Sequence, residues 1–222
     1  SRNGPAIMKD DEVEMNQAEQ TAAGAEEIIY EVRDRIGFVT FNRPQARNAL
    51  TFGMYDRLAE ICSGAPTDGS VAAIVITGAG DRAFAAGTDI SLFRDFRTAE
   101  QGIAYEEHAA GIMTAVETCP VPTIAAISGA CTGGGAAIAA YCDLRIATRD
   151  MRFGFPIART LGNCLSAAIL DRLTRLIGEG RVMDLILTAR LMGAEEAMTA
   201  GLVSEVVETH AALLPRAEEL AR

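Results

Sequence analysis

The side chains that serve most often as catalytic bases or covalent nucleophiles are scarce in this sequence. Of its 20 basic residues only Lys9 is a lysine, and there are two histidines, His108 and His210. A lysine Schiff base and a phosphate-loop lysine are therefore excluded from the main part of the chain. No GxSxG turn occurs, and His108 lies among glutamates, so a Ser-His-Asp triad is not indicated either.

Positive charge is scarce overall, with a formal net charge of −10 over 222 residues. This balance argues against nucleic acid as a partner, because such binding depends on neutralising phosphates. An anionic small ligand stays compatible, since screening over about 8 Å lets a local group of arginines outweigh the global sign.

Cysteine is infrequent: the sequence has five, and none of them form a CxxC motif. We interpret them as reduced, mostly buried thiols of a cytoplasmic protein. With so few histidines, a zinc site is not expected, and the sequence suggests no cofactor or metal.

Long uninterrupted hydrophobic runs are also missing. Residues 118–142 carry no charge, but Pro120, Pro122 and several glycines divide them into strand, loop and helix, which excludes one membrane-spanning helix. No secretory signal is visible in the acidic N-terminal segment. We expect residues 1–25 to be a flexible leader, with residues 1–7 a cloning remnant before Met8.

The rest of the chain predicts a single α/β domain at residues 26–207, followed at 208–222 by the start of a C-terminal helical region. Short strands such as "IIYEVR" and "FVTFN" alternate with helices, and "VAAIVIT" predicts a strand buried on both faces. Thr51 and Asn163 are the predicted N-caps of two helices. The leucines of the final helical pattern have no evident partner, so we expect the chain to be truncated there.

Two glycine-containing loops, each after a buried strand, are the strongest functional signal: "AFAAGTDI" at 83–90 and "GACTGGGAA" at 129–137. Glycine lets a ligand approach the backbone closely, and the amides at a helix start point outward without a partner. Two such amides aimed at one oxygen would form an oxyanion hole. The GxGxxA pattern in "ITGAGDRAF" predicts nicotinamide binding poorly, because the loop does not lead directly into a helix.

These loops, together with "FNRPQARNAL" and "FGFPIA", resemble the enoyl-CoA hydratase/isomerase (crotonase) family in order and spacing over residues 28–207. The resemblance implies an α/β spiral of strand-strand-helix turns, assembled as a trimer or dimer of trimers. It also implies a coenzyme A thioester as substrate, with coenzyme A carried by the substrate and no separate cofactor.

By the same resemblance, the amides of Thr88 and Gly134 would polarise the thioester carbonyl, while Gly133 and Gly135 shape the loop. The resemblance also implies that the segment 43–48 approaches the adenosine of coenzyme A, where Arg47 would bind a phosphate. The resemblance implies that the pantetheine channel is lined by residues of the first loop: Ala86, Asp89, Ile90 and Ser91.

The sequence departs from the family where its hydratases carry two glutamates, since Ala137 and Ile157 occupy those positions. Neither side chain can move a proton, so hydration by the two-glutamate route is not expected. Three alternatives remain open: a decarboxylase or lyase that needs chiefly the enolate hole, proton transfer by other polar groups, and an acyl-CoA-binding protein without turnover. The polar groups in question are Asp89, Arg159, Thr160, Asn163 and Cys164.

Overall fold

The fold is known from a computed structural model that describes residues 27–89, 91, 97–160 and 164–222. The expected leader at 1–25, Ile90 and Asn163 lie outside the described residues. Ten strands are β1 (Ile28–Arg33), β2 (Ile36–Phe41), β3 (Ala73–Gly78), β4 (Ala83–Ala85), β5 (Thr123–Ile127), β6 (Ala130–Thr132), β7 (Leu144–Thr148), β8 (Arg152–Gly154), β9 (Met192–Gly193) and β10 (Glu205–Val207) in the described part. The helices there are α1 (Phe52–Ser63), α2 (Ala99–Glu117), α3 (Gly134–Tyr141), α4 (Ile157–Thr160), α5 (Ala167–Ile177), α6 (Glu179–Thr188), α7 (Ala194–Ala200) and α8 (His210–Ala221).

The strands form two sheets that the chain visits in alternation. The larger sheet has the order β1-β2-β3-β5-β7-β10 and the smaller one the order β4-β6-β8-β9. Apart from the antiparallel pairs β1–β2 and β8–β9, neighbouring strands are parallel. A strand of the large sheet is followed by one of the small sheet and then by a helix three times in succession. The predicted α/β spiral of strand-strand-helix turns is confirmed.

Strand β3 shows why its sequence is apolar throughout rather than alternating. Ile74 and Ile76 pack in the main core between the sheets and helices, whereas Val75 faces a second core on the opposite side of the large sheet. All three side chains are fully buried. Because successive strand residues point to opposite faces, only a sheet covered on both sides requires this composition.

The second core corrects the expectation that the C-terminal leucines have no partner. Helix α8 packs across the large sheet, burying Leu213 completely against residues that include Phe38, Val75 and Ile124. Leu214 and Leu220 are partly buried beside it. The sequence could not reveal this contact, because the strand residues that receive α8 are distant from it along the chain.

Local signals were read correctly at some helix ends and wrongly at others. Thr51 caps α1 as predicted, its Oγ1 accepting a hydrogen bond from the Met54 amide at 3.2 Å. The later helix, α5, is capped by Ser166 and not by Asn163. Strand β2 begins two residues earlier than predicted, because Asp34 and Arg35 alone make the hairpin turn with positive φ angles.

Two compositional expectations concern thiols and membranes. Cys62, Cys131 and Cys142 are free and buried, as expected of reduced thiols. In the described part of the chain, no helix combines the length and the apolar character needed to cross a membrane.

Candidate functional site

Three loops of the small sheet meet at one edge, because β4, β6 and β8 are mutually parallel. The carboxyl ends of parallel strands lie at the same edge of a sheet, which is where ligands of α/β folds commonly bind. Thr88 follows β4, Gly134 follows β6 and Ile157 follows β8. The sheet therefore brings together loops that the sequence separates by dozens of residues.

The loop after β4 is fixed along one side by the segment before α1. Ala86 N–H donates to Arg47 O at 3.0 Å, Leu50 N–H donates to Gly87 O at 2.8 Å, and Asp89 N–H donates to Leu50 O at 2.9 Å. Leu50 and Thr88 thus form a parallel bridge. In a parallel bridge of this kind Leu50 forms hydrogen bonds with the residues on either side of Thr88. The N–H group of Thr88 itself therefore points away from Leu50.

The triple glycine after β6 is required for three different steric reasons. Gly133 has φ +54°, a left-handed conformation that glycine adopts readily, and its amide donates to Gly154 O at 3.0 Å. A Cβ atom at position 134 would overlap Tyr55 Oη and lie 3.1 Å from Thr88 Oγ1. One at position 135 would lie 2.6 Å from Ala85 Cβ. The glycines thus allow the two loops and α1 to approach one another.

Two backbone donors at this junction have no acceptor among the described residues: the N–H groups of Thr88 and Gly134. Gly134 is the first residue of α3, where helical geometry leaves the amide without an intrahelical partner. The partial positive charge at a helix start adds to its attraction for an anionic atom.

Ala137 and Ile157 place apolar side chains in the helices that follow β6 and β8. Ala137 lies in the first turn of α3, is 3% exposed, and donates its amide to Gly133 O at 2.9 Å. Ile157 begins α4 and packs partly buried against the main core. Neither position offers a group that titrates.

Asp89 is held by an ion pair and by its own loop. Its Oδ2 lies 3.2 Å from both terminal nitrogens of Arg43, and its Oδ1 accepts from the Ser91 amide and hydroxyl at 3.1 and 2.7 Å. Hydrogen bonds from the Ser91 hydroxyl and amide, and then the Arg43 guanidinium, hold the pKa of Asp89 below its usual range. The side chain is a stable carboxylate that fastens the loop to the segment before α1.

Asn48 completes that fastening from the interior. Its side chain is fully buried, donates to Ala79 O and Ala83 O at 3.1 and 2.7 Å, and accepts from the Arg43 amide at 3.0 Å. The residue thus connects the segment before α1 to both ends of the turn between β3 and β4. Sequence reasoning assigned this segment only to ligand contact and missed its structural role.

Several of the remaining predicted residues are exposed. Arg47 is exposed and has no ion pair within the described part of the chain, and Arg159 and Cys164 are also exposed. Ser91 is exposed beside Asp89. The backbone of Thr160 ends α4, and Ile90 and Asn163 lie outside the described residues.

Two tyrosines that sequence reasoning overlooked also belong to the site. Tyr55 Oη lies 2.8 Å from Thr88 Oγ1, and Tyr105 Oη lies 3.3 Å from the same oxygen. Tyr55 sits one helical turn after the N-cap Thr51, on the buried side of α1. The sequence did contain one signal for Tyr55: its phenol occupies a position where the helix pattern predicts a purely apolar side chain.

The two histidines contact residues outside the predicted site. His108 Nε2 is 2.8 Å from Asp56 Oδ1 at the α1–α2 contact, and His210 Nδ1 is 3.2 Å from Ser128 Oγ. Over the described ranges, no three His, Cys, Asp or Glu side chains cluster as a metal site would require.

The architecture and the site define an α/β protein of the crotonase type, with main-chain donors at the edge of its smaller sheet. The chain belongs to the enoyl-CoA hydratase/isomerase family, whose model matches residues 31–222. This establishes the family that the motifs indicated.

Its relatives carry names from the same family. The chain is 42% identical over 182 residues to a probable enoyl-CoA hydratase of Mycobacterium bovis, covering 82% of this chain and 69% of that protein. It is 37% identical over 194 residues to the short-chain-enoyl-CoA hydratase of Clostridium acetobutylicum, covering 87% and 73%. A crystal structure of an enoyl-CoA hydratase/carnithine racemase from Magnetospirillum magneticum superimposes with a TM-score of 0.82 at 35% identity, covering 88% and 73%.

Proposed function

We propose that this chain binds acyl-CoA thioesters and stabilises their enolates between the N–H groups of Thr88 and Gly134. The observation that carries the proposal is the contact between the two loops, each with an amide that has no acceptor in the described part of the chain. In enzymes of known mechanism, removing one such donor raises the activation free energy by about 2.7–4 kcal/mol. Family membership supports acyl-CoA as the substrate class.

Binding of the coenzyme A portion is proposed along the first loop. Arg47 is exposed and beside Ala86, and its guanidinium can form paired hydrogen bonds with a phosphate. Ala86, Asp89, Ile90 and Ser91 would line the pantetheine channel, with Asp89 acting through the loop it fastens. The trimeric assembly implied by the family stays a prediction.

The reaction is proposed to differ from two-glutamate hydration. Ala137 and Ile157 provide no acid or base, and general acid–base catalysis typically contributes about 100- to 10,000-fold to a rate. Loss of carbon dioxide, or of another stable fragment, generates an enolate without removal of a proton. This requirement favours a decarboxylase or carbon–carbon lyase as the reaction of this chain.

The experiment compares binding and turnover on one set of thioesters. Calorimetry with butyryl-CoA tests binding, while crotonyl-CoA and methylmalonyl-CoA test hydration and decarboxylation. We expect binding, slow hydration and detectable decarboxylation. Binding without any product would favour the acyl-CoA-binding alternative. Rapid hydration would refute the inference that Ala137 and Ile157 prevent efficient hydration.

A gain-of-function pair sharpens this test. The double variant Ala137→Glu, Ile157→Glu should hydrate crotonyl-CoA at least about 100-fold faster than the parent, if those positions face the reacting carbons. The matched control, Ala137→Gln with Ile157→Gln, has similar bulk but no base and should gain nothing. Equal rates in both double variants would contradict the proposed placement.

A further inference from the structure

Three hydroxyl groups from separate elements form a connected chain at the proposed site. Tyr55 of α1 and Tyr105 of α2 both approach the Thr88 hydroxyl, at 2.8 and 3.3 Å. We call Tyr55, Thr88 and Tyr105 the hydroxyl cluster. The rings of Phe52 and Tyr105 pack in a tilted arrangement with their centroids 5.8 Å apart, which places α2 in contact with α1.

The cluster differs in exposure from one end to the other. Tyr55 is 3% exposed, and its burial raises the pKa of the phenol well above the ordinary value. Tyr105 is half-buried; burial raises its pKa too, the Thr88 hydrogen bond partly offsets this, and the charge of Glu106 adds to it. Both phenols are therefore protonated near neutral pH.

The two distances are compatible with one continuous direction of donation, from Tyr55 to Thr88 and from Thr88 to Tyr105. A buried phenol needs a partner for its proton, and Thr88 Oγ1 is the partner beside Tyr55. If Tyr55 donates to Thr88, the Thr88 proton is directed to Tyr105 Oη. The proton of Tyr105 then lies outside the cluster, on its more exposed side.

The cluster touches both loops that carry the proposed enolate donors. The Thr88 hydroxyl and amide belong to one residue, separated only by its Cα and Cβ atoms. A Cβ at Gly134 would contact both Tyr55 Oη and Thr88 Oγ1, so the cluster borders the start of α3 as well. By contrast, Asp89 is occupied by Arg43 and Ser91.

We propose that the Tyr105 hydroxyl delivers the proton that converts the enolate to product, with Thr88 and Tyr55 as positioning residues. The step rests on the proposed function. The electron pair of the enolate α-carbon takes the Tyr105 proton, forming a carbon–hydrogen bond and breaking the oxygen–hydrogen bond. The thioester carbonyl is restored, and the phenolate accepts the Thr88 hydrogen bond until water returns a proton to it.

This assignment explains how a site without the two glutamates completes a turnover. Cleavage of a 2-carboxyacyl-CoA needs no base, but its enolate needs one proton, and the cluster supplies one. The hydrogen bond that Tyr105 receives stabilises its anion more than its neutral form, which assists transfer from a half-buried phenol.

The test follows stereochemistry in D₂O with methylmalonyl-CoA, a 2-carboxyacyl-CoA whose product gains deuterium at a prochiral α-carbon. The wild-type chain should give one α-deuterated stereoisomer of propionyl-CoA. Tyr105→Phe should lower kcat about 100-fold or more with little change in KM, and any product should be stereochemically mixed because solvent delivers the deuteron. Tyr30→Phe, which removes a phenol outside the cluster, should behave as wild type.

Thr88 provides a second pair of variants. Thr88→Ser keeps the hydroxyl and should retain stereospecific product, whereas Thr88→Val keeps the shape and should lose rate and stereochemical purity together. Stereospecific product at the wild-type rate from Tyr105→Phe would overturn the assignment while leaving the proposed function intact. Butyryl-CoA binding without deuterium incorporation from methylmalonyl-CoA would also overturn it, and a failure to bind butyryl-CoA would refute the proposed function itself.

Discussion

The junction of α1 with the two loops can be tested by adding a single methyl group at Gly134. In Gly134→Ala the new Cβ would overlap Tyr55 Oη and lie 3.2 Å from Tyr55 Cζ. Tyr55 is 3% exposed and cannot turn into solvent, so the backbone or the ring must shift. Forcing an extra carbon into a packed interior typically costs about 1–3 kcal/mol.

Helix propensity acts in the opposite direction and is the smaller effect. Alanine replaces glycine in a helix interior with a gain of about 0.5–1 kcal/mol, and position 134 is only the first residue of α3. We therefore expect Gly134→Ala to lower the free energy of unfolding by about 1–3 kcal/mol. Gly111→Ala in the middle of α2 is the control: its Cβ would meet nothing within 4 Å, and we expect about 0.5–1 kcal/mol of stabilisation.

A double-mutant cycle identifies the cause. Tyr55→Phe removes the overlapping oxygen and costs about 0.5–1.5 kcal/mol for the lost hydrogen bond to Thr88. In that background Gly134→Ala should cost less than about 1 kcal/mol, giving a coupling free energy within the range of about 0.5–3 kcal/mol seen for residues in contact. Urea unfolding at a fixed protein concentration measures the free energy of unfolding of the parent, the two single variants and the double variant.

Two outcomes would refute this reasoning. One is a stability of Gly134→Ala equal to or above that of the parent, as for Gly111→Ala. The other is the same penalty with and without the Tyr55 oxygen, because the clash would then lie elsewhere.

Two further predictions concern the fastening of the first loop. Asn48→Ala should leave two carbonyls and one amide without their present partners, which costs about 1–3 kcal/mol for each buried group left unpaired. Urea unfolding of Asn48→Ala beside Asn48→Asp measures this loss of stability. An unchanged unfolding midpoint would contradict the role given to Asn48. Asp89 has a depressed pKa in the folded chain, so its stabilisation is present above the unfolded value of about 3.9 and is lost as the pH falls through the lower folded value. The stability difference between the parent and Asp89→Asn should be constant from about pH 5 to 8 and should shrink below about pH 4, and a difference that grows on acidification would exclude a depressed pKa.

Much of the fold could be predicted because its signals are local. The continuous apolar run of β3 requires burial on both faces, and the Thr51 cap marks the start of α1 within a few residues. The glycines of the segments at 83–90 and 129–137 were recognised, but the short strands β4 and β6 inside these segments were not. The cap of α5 was misplaced because Asn163 and Ser166 offer the same chemistry only three residues apart.

The contacts of α8 and of the tyrosines were missed for a common reason. Leu213 and Phe38 meet across the large sheet, and Tyr55 and Tyr105 meet Thr88 from two different helices. No local pattern carries such a contact, because it depends on which faces the completed sheets leave open.

The sequence by itself determined the strand-strand-helix order, the backbone freedom of the loops and the apolar residues at positions 137 and 157. These properties belong to residue types and their spacing along the chain. Only the tertiary structure decided that Gly134 would lie against Tyr55, and that three hydroxyl groups would meet at Thr88. The physical reason is that parallel pairing of β4 with β6, and packing of α1 against α2, bring together groups whose separation in the chain has no relation to their distance in space.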